Sequence, residues 1–283
     1  LVFENYLGDP LPFNLKLELW ATSYKKIFEI PAVLQTGCPL SADLLMGDGT
    51  YFLEIESGIP PYQVTWSNGV IGDLSQILPL GNYDVKVINA ADCERTVQFT
   101  VPEFGTLEDI DGNTYNTVKV GTTWSAILHL PFNEEWIKGG QPAYSWLDNT
   151  ESHDDTFGKL YNYAAACCDI CPTGWRLPGI YEISELSGVF GMNAAKAMRA
   201  LDAWPDGSLK STNLSGLSIL PAGFRGGRDG AFPTGQPFAT FWVNHRDPYG
   251  LTNLALIQGS VDFLTTTIST STRDGFSVRC VKE

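Results

Sequence analysis

Positive charge, histidine and long apolar runs are all scarce in this sequence. Its 283 residues carry 18 Lys and Arg against 32 Asp and Glu, a formal net charge of −14, and no basic run occurs anywhere. Phosphate backbones and anionic lipids are held by clustered Lys and Arg, so nucleic acid and acidic membrane surfaces are poor partners. The same acidity also suits simple solubility of an exposed protein. No stretch approaches the roughly 20 apolar residues that a bilayer-spanning helix needs, which speaks against direct membrane insertion. The chain opens at Leu1 without a charged-then-apolar leader. It therefore reads as a mature or trimmed fragment, with any signal or anchor outside it.

Catalytic signatures are missing as well. A serine or cysteine nucleophile needs a positioned base beside it, and no Gly-x-Ser-x-Gly elbow or similar local pattern is present. No local pair of carboxylates stands out for glycoside cleavage. The single CxxC, Cys168-Asp-Ile-Cys171, has Cys167 next to it but no second CxxC or HxxxH, and His129 and His153 sit in unrelated loops. Zinc thus lacks half of its ligand set, and a thioredoxin-like role lacks its βαβ surroundings. The expectation is a chain that is not an enzyme and needs no cofactor. Six cysteines, Cys38, Cys93, Cys167, Cys168, Cys171 and Cys280, form an even, scattered set. That usage fits disulfides in an oxidising compartment, hence an extracellular or cell-surface location.

The length exceeds the usual 100 to 200 residues of one domain, so two domains are expected. Up to about Phe104 the sequence is a series of short alternating segments, such as Tyr51-Phe-Leu-Glu-Ile-Glu56, Gln63-Val-Thr-Trp66 and Tyr83-Asp-Val-Lys-Val-Ile88. Period-two alternation broken by Gly, Pro, Asn and Asp predicts antiparallel strands and turns. Pro102-Glu-Phe-Gly105 breaks that pattern, and a texture richer in Trp and Gly follows, so the boundary is placed there. In the second part Asp109–Tyr115 and Val118–Trp124 read as two strands joined by a tight turn, with Asp-Gly supplying the positive φ. Helices are expected over 160–167, 180–190 and 193–201. Strands at both ends with helices between them give an α+β domain whose end strands pair.

The first part, read as Gly58-Ile-Pro-Pro-Tyr-Gln-Val-Thr-Trp66, then Leu78-Pro-Leu-Gly-Asn-Tyr-Asp-Val-Lys-Val-Ile88, then a closing strand, resembles the SprB-type repeat of Bacteroidetes surface adhesins. That resemblance covers about residues 31–104 and implies an all-β immunoglobulin-like sandwich. Residues 1–30 would be the end of a preceding repeat or the first strands of the sandwich. Cys38 and Cys93 match the repeat's cysteine positions and would close a loop worth roughly 4 kcal/mol. From residue 105 to 283 five ordered motifs, DIDGNTYNTVKVGTTW, GKLYNYAAA, CPTGWRLP, LPAGFRGGRDGAF and RDGFSVRCVKE, resemble the Fibrobacter succinogenes major paralogous domain. The resemblance implies a C-type-lectin-like fold on a secreted bacterial protein, with Cys171 paired to Cys280 in a bridge worth up to roughly 5 kcal/mol. Cys167 and Cys168 depart from the family pattern and stay unassigned. Each motif also has a plain structural reading. Trp175 and Leu177 would fill the core while Pro172, Gly174 and Pro178 shape turns, and the alternation Phe276, Val278, Cys280 would face inward on one strand.

The candidate ligand-binding residues are Trp242, Asn244, His245, Arg246, Asp247 and Tyr249, in Phe241-Trp-Val-Asn-His-Arg-Asp-Pro-Tyr249. Aromatic faces stack on sugars or peptides, and amide and charged groups form directed hydrogen bonds. Trp242 reads equally well as a core residue. Arg228, with Arg225 and Asp229 in the GFRGGRDG turn, would rim the same pocket, and Thr265–Thr272 would lie alongside it. No metal site is expected. Asp109, Asp111 and Asn113 imitate the start of a calcium loop but lack its closing Glu, with Val120 in that place. Asp148, Glu151, Asp154 and Asp155 form a denser oxygen cluster that reads either as a solvated loop or as a calcium-stabilised one.

Together these readings give an adhesin-type recognition protein that binds a glycan or protein ligand through the late loops of a lectin-like head, with neighbouring repeats as further partners. The rival readings are a structural or tip subunit of a fimbria or gliding filament, and a retroelement-diversified or phage receptor-binding protein. A formylglycine-generating-type enzyme using Cys167 and Cys168 is the remaining alternative.

Overall fold

The computed structural model describes residues 13–21, 24–32, 39–108, 112, 114–121, 123–127, 144–167, 170–205, 208–233, 237–246, 252–269 and 271–283. For 13–21, 24–32, 123–127, 154–155, 245–246, 252–254 and 268–269 it describes the backbone alone. Strand dominates and helix is sparse. The chain divides into two compact units, one of residues 1–44, 52–76 and 82–99, the other of residues 45–51, 77–81 and 100–283.

The first strands, β1 (Phe13–Ala21) and β2 (Tyr24–Ala32), form a hairpin in full register from Phe13↔Ala32 to Ala21↔Tyr24. Then come β3 (Ser41–Gly47), β4 (Thr50–Ser57), β5 (Gln63–Trp66), β6 (Ser75–Ile77), β7 (Gly81–Ile88) and β8 (Glu94–Val101). They make two three-stranded sheets, ordered β3-β4-β6 and β5-β7-β8, with β5 and β7 antiparallel. The alternation read from sequence is real in the burial: along β5 Val64 and Trp66 are buried while Gln63 and Thr65 are exposed. Their partners across the ladder, Val87 and Val85, are buried too, so this face gains from paired apolar side chains. Trp66 Nε1–H donates to the Asp73 carbonyl at 2.8 Å, and Phe99 meets its ring edge-on.

In the second unit β9 (Glu103–Glu108), β10 (Thr114–Val120) and β11 (Thr123–Ile127) follow one another antiparallel. Three strands thus replace the two expected here. Gly112, with φ of 83°, lies between β9 and β10, and β10 runs unbroken from Thr114 to Val120, through both segments read as separate strands. Next come β12 (Tyr144–Trp146), α1 (Asp154–Phe157), β13 (Lys159–Tyr161), α2 (Tyr163–Ala166), β14 (Trp175–Arg176), α3 (Ile180–Phe190) and α4 (Ala194–Met198). The chain ends with β15 (Phe238–Arg246), β16 (Thr252–Gln258), β17 (Thr265–Ser269) and β18 (Arg279–Lys282). β18 lies between β14 and β11 in a five-stranded sheet ordered β14-β18-β11-β10-β9, so the early and final strands do pair. β15, β16 and β17 form a separate antiparallel sheet.

The helix expected over 180–190 is present with those bounds, and the one expected over 193–201 is the shorter α4. The helix expected over 160–167 needs correction. Lys159–Tyr161 pairs with β12, and Asn162 then caps α2 by accepting a hydrogen bond from Ala165 N–H at 2.9 Å. A side-chain cap at 162 obliges the helix to start one residue later, and such a cap contributes about 1 kcal/mol.

Candidate functional site

The family-like motifs of the second unit meet around one side chain. Trp242, on β15, is wholly buried, and its Nε1–H donates to the Tyr161 carbonyl at 2.6 Å. The rings of Tyr163 and Phe276 strike it edge-on at centroid distances of 5.1 and 4.7 Å. Tyr161 and Phe276 exchange backbone hydrogen bonds, so YNYAAA and RDGFSVRC are tied together at this point. Leu177 and Cys280 fill the same core, with Trp175 packed against it, as the plain readings of CPTGWRLP and GFSVRCV require. Cys171 and Cys280 are joined by a disulfide with Cα atoms 5.8 Å apart. Cys38 and Cys168 lie outside the described residues, and so does the expected Cys38–Cys93 bridge, while the Cys167 thiol meets the Ala164 carbonyl at 3.8 Å.

Trp242 is therefore corrected from ligand-stacking residue to core residue, because a ring with no exposed face cannot stack on a ligand. The reason is visible in the strand itself. Ala239, Thr240, Phe241, Trp242 and Val243 are all buried, so β15 is covered on both faces over five residues. At Asn244 the side chain is exposed, and between Trp242 and Arg246 the register with β16 shifts in a bulge. Bulges re-aim side chains and end regular pairing. The Asn244 N–H is anchored on the Pro178 carbonyl at 2.7 Å, which fixes where Asn244 leaves the core. The side chains of His245 and Arg246, and the whole of Asp247 and Tyr249, lie outside the described residues.

Arg228 does not join this rim. Gly223 bridges to Ala239 at the start of β15, and Arg225 pairs with Gly275. Beyond it, Gly227 N–H donates to Asp274 Oδ1 at 2.8 Å, carrying the turn further from the Asn244 end. Five residue steps along the strand lead from Ala239 to Asn244, about 17 Å at the usual rise. Arg225, Arg228 and Asp229 thus belong to the opposite end of the strand. Their motif is a structural clasp: a Cβ at Gly227 would lie 2.3 Å from the Arg273 carbonyl carbon, so only glycine admits the two turns to each other. The threonine tract behaves as expected for part of its length. β17 is the outer strand beside β16, and Ser269↔Thr252↔Arg246 bring its end level with the end of β15.

One exposed aromatic that sequence reading passed over follows the Pro178 anchor of Asn244. α3 packs against β15, and Tyr181, on its first turn three residues after Pro178, is 85% exposed. An aromatic that starts a helix and stays in solvent carries no periodic signal, so only the structure exposes it. The start of α3 is held by Glu182, whose carboxylate accepts from Gly179 N–H at 2.8 Å and pairs with Arg176. Burial pushes the Glu182 carboxyl up, but hydrogen bonds from Arg176, its own backbone and Gly179, together with the Arg176 charge, outweigh that and hold it below its ordinary value. A carboxylate depressed in the folded state stabilises above its unfolded pKa, and that contribution is lost as pH falls through the folded value. Glu182→Gln is therefore expected to lower the melting temperature at neutral pH and to flatten its decline on acidification. Melting curves from about pH 2 to 7 measure both, and parallel curves for the two proteins would contradict this account.

In the oxygen-rich loop Asp148 and Glu151 are exposed, while His153 is engaged through Nδ1 with the Leu147 carbonyl at 3.0 Å. The side chains of Asp154 and Asp155 lie outside the described residues, as do Asp109, Asp111 and Asn113. Among the described residues no cluster of three or more His, Cys, Asp or Glu could hold a metal. No described helix is long and apolar enough to cross a membrane.

No curated protein and no solved structure matches the chain. The family described as the Fibrobacter succinogenes major domain matches residues 108–282, which span all five motifs that close around Trp242. With more than half its length matched, the chain belongs to the Fibrobacter succinogenes major domain family.

Proposed function

We propose that this chain is a secreted or surface recognition protein whose second unit binds a glycan or protein ligand at the open end of the β15–β16–β17 sheet and does not transform it. The observation that carries this reading is the abrupt change along β15, from five buried residues to the exposed Asn244 across a bulge. A side chain such as Asn244, set at the end of a strand buried on both faces, loses little freedom on binding, and such preorganisation raises affinity. Asn244 offers a donor and an acceptor, and Tyr181 supplies the aromatic face that Trp242 cannot. Family membership fits a surface or secreted location. The C-type-lectin-like fold for the second unit and an immunoglobulin-like stalk before it remain part of this proposal.

Glycan and protein arrays probed with the whole chain are expected to return a ligand. The triple change of Asn244, Arg246 and Asp247 to Ala is expected to weaken its binding by tenfold or more, and Tyr181→Ala by several-fold, with melting temperature unchanged. Binding that survives the triple change, or turnover of the captured ligand, would remove this function.

A further inference from the structure

On the second unit an open cleft of about 360 Å³ is walled by the β3–β4 turn, by β9 and β10, and by the loop that follows α4. Its size falls at the lower end of ligand pockets, which run from about 300 to 1,000 Å³. One wall is aromatic. Phe104 is 49% exposed, and its pairing with Val118 puts it on the same face of the sheet as Val118 and Asn116, with Asn116 its diagonal neighbour across the ladder. Gly216 lets the ring lie there: φ is 72°, and a Cβ at this position would meet a Phe104 ring carbon at 2.7 Å.

The wall made by the turn is polar and held in place. Asp48 and Gly49, with φ of 48° and 74°, form the two-residue connection between β3 and β4, the Asp-Gly pair that a tight hairpin favours. Met46, just before that turn, donates its N–H to the Thr212 carbonyl at 2.9 Å, and its own carbonyl accepts from Asn213 Nδ2–H at 3.2 Å. Asn213 also exchanges two hydrogen bonds of 2.9 Å with Ser218, so turn and loop are locked to each other and the Asn213 side chain is spent on that frame. The Asp48 carboxylate and the Asn116 carboxamide are different. Both residues are exposed, both line the cleft, and neither side chain has a hydrogen-bond partner among the described residues.

A pyranose presents an apolar face of C–H groups and a rim of hydroxyls, each able to donate and accept. The cleft offers the complement: a flat ring, a carboxylate that only accepts, and a carboxamide that does both. An organic cation would use the ring and the carboxylate, but an exposed ion pair contributes little in water, and the Asn116 N–H groups would face it with nothing to donate to. We propose that this cleft is a binding site for a single neutral sugar ring, stacked on Phe104 and held through its hydroxyls by Asp48 and Asn116. It uses no residue of the rim around Asn244, so it stands independently of the function proposed above.

Saturation-transfer NMR on the whole chain with the methyl glycosides of glucose, galactose, mannose, fucose and N-acetylglucosamine tests this. At least one is expected to bind saturably with a Kd on the order of 1 mM, the weak affinity of one ring on an open site. Asp48→Asn, which keeps a residue that tolerates the turn, and Asn116→Ala are each expected to weaken it by about 3- to 10-fold, and Phe104→Ala by at least as much. The first two are surface changes that should leave the melting temperature at the parental value, so lost binding there is not lost folding. The triple change of Asn244, Arg246 and Asp247 to Ala should leave the glycoside signal unaltered. Absence of saturable binding by every one of these glycosides, binding that survives both Asp48→Asn and Asn116→Ala, a signal lost in the rim variant instead, or displacement of the sugar by tetramethylammonium would overturn the inference.

Discussion

Arg199→Met is expected to destabilise the second unit by about 3 to 5 kcal/mol, the range for breaking a buried, hydrogen-bonded charge. Arg199 follows α4 and ties three segments together. Its Nη1 donates to Gln258 and Val261, at 3.1 and 2.7 Å, and its Nη2 to Lys210 and the Asp262 carboxylate, at 2.8 and 2.6 Å. The Asp262 carbonyl in turn accepts from Ala195 and Lys196, so the turn after β16 closes on the first residues of α4. Methionine fills much of the volume but donates nothing, which orphans three backbone carbonyls at once. Arg199→Lys keeps the charge yet cannot span four acceptors, so a smaller loss is expected. Asp262→Asn should cost least, because the Asp262 side chain is 35% exposed and water can replace part of what it gives up. Urea unfolding that ranks the three variants in this order checks the argument, and an Arg199→Met protein within about 1 kcal/mol of the parent would refute it.

The same residue shows where sequence reading stops. Local signals were strong enough for the alternation in β5 and β7, for α3 after Pro178, and for the pairing of the end strands, because each depends on neighbours a few residues apart or on a motif of fixed wording. Arg199 sits in Ala-Lys-Ala-Met-Arg-Ala, where nothing local separates a buried arginine from a solvated one, and its acceptors lie 11 to 63 residues away. Trp242 failed for a related reason. The segment from Phe241 to Tyr249 mixes aromatic and polar residues evenly, but the fold draws a sharp line at Asn244, and that line comes from Pro178 and from the cover over β15. The turn that carries Arg228 docks to Asp274 through Gly227 N–H, a long-range event that the sequence does not announce.

Removing the Cys171–Cys280 bridge by changing both residues to alanine is expected to cost about 4 to 5 kcal/mol, because the bridge closes a loop of 109 residues in the unfolded chain. The native state has much to lose with it. Cys280 is fully buried on β18, the strand that joins β14 to β11, and Cys171 packs against the same cluster as Trp242 and Phe276. Cys280→Ser alone should be worse than Cys171→Ala alone, since it puts a hydroxyl into an apolar core and leaves an unpaired thiol opposite. If loop entropy is the main cause, reduction of the unaltered protein and the double alanine change should lower the urea midpoint by similar amounts. The slope should change little unless the unfolded state expands. A double variant that unfolds at the parental midpoint, or mass spectrometry of the native protein that finds Cys171 and Cys280 unlinked, would show that the packing around Trp242 holds this unit without its covalent tie.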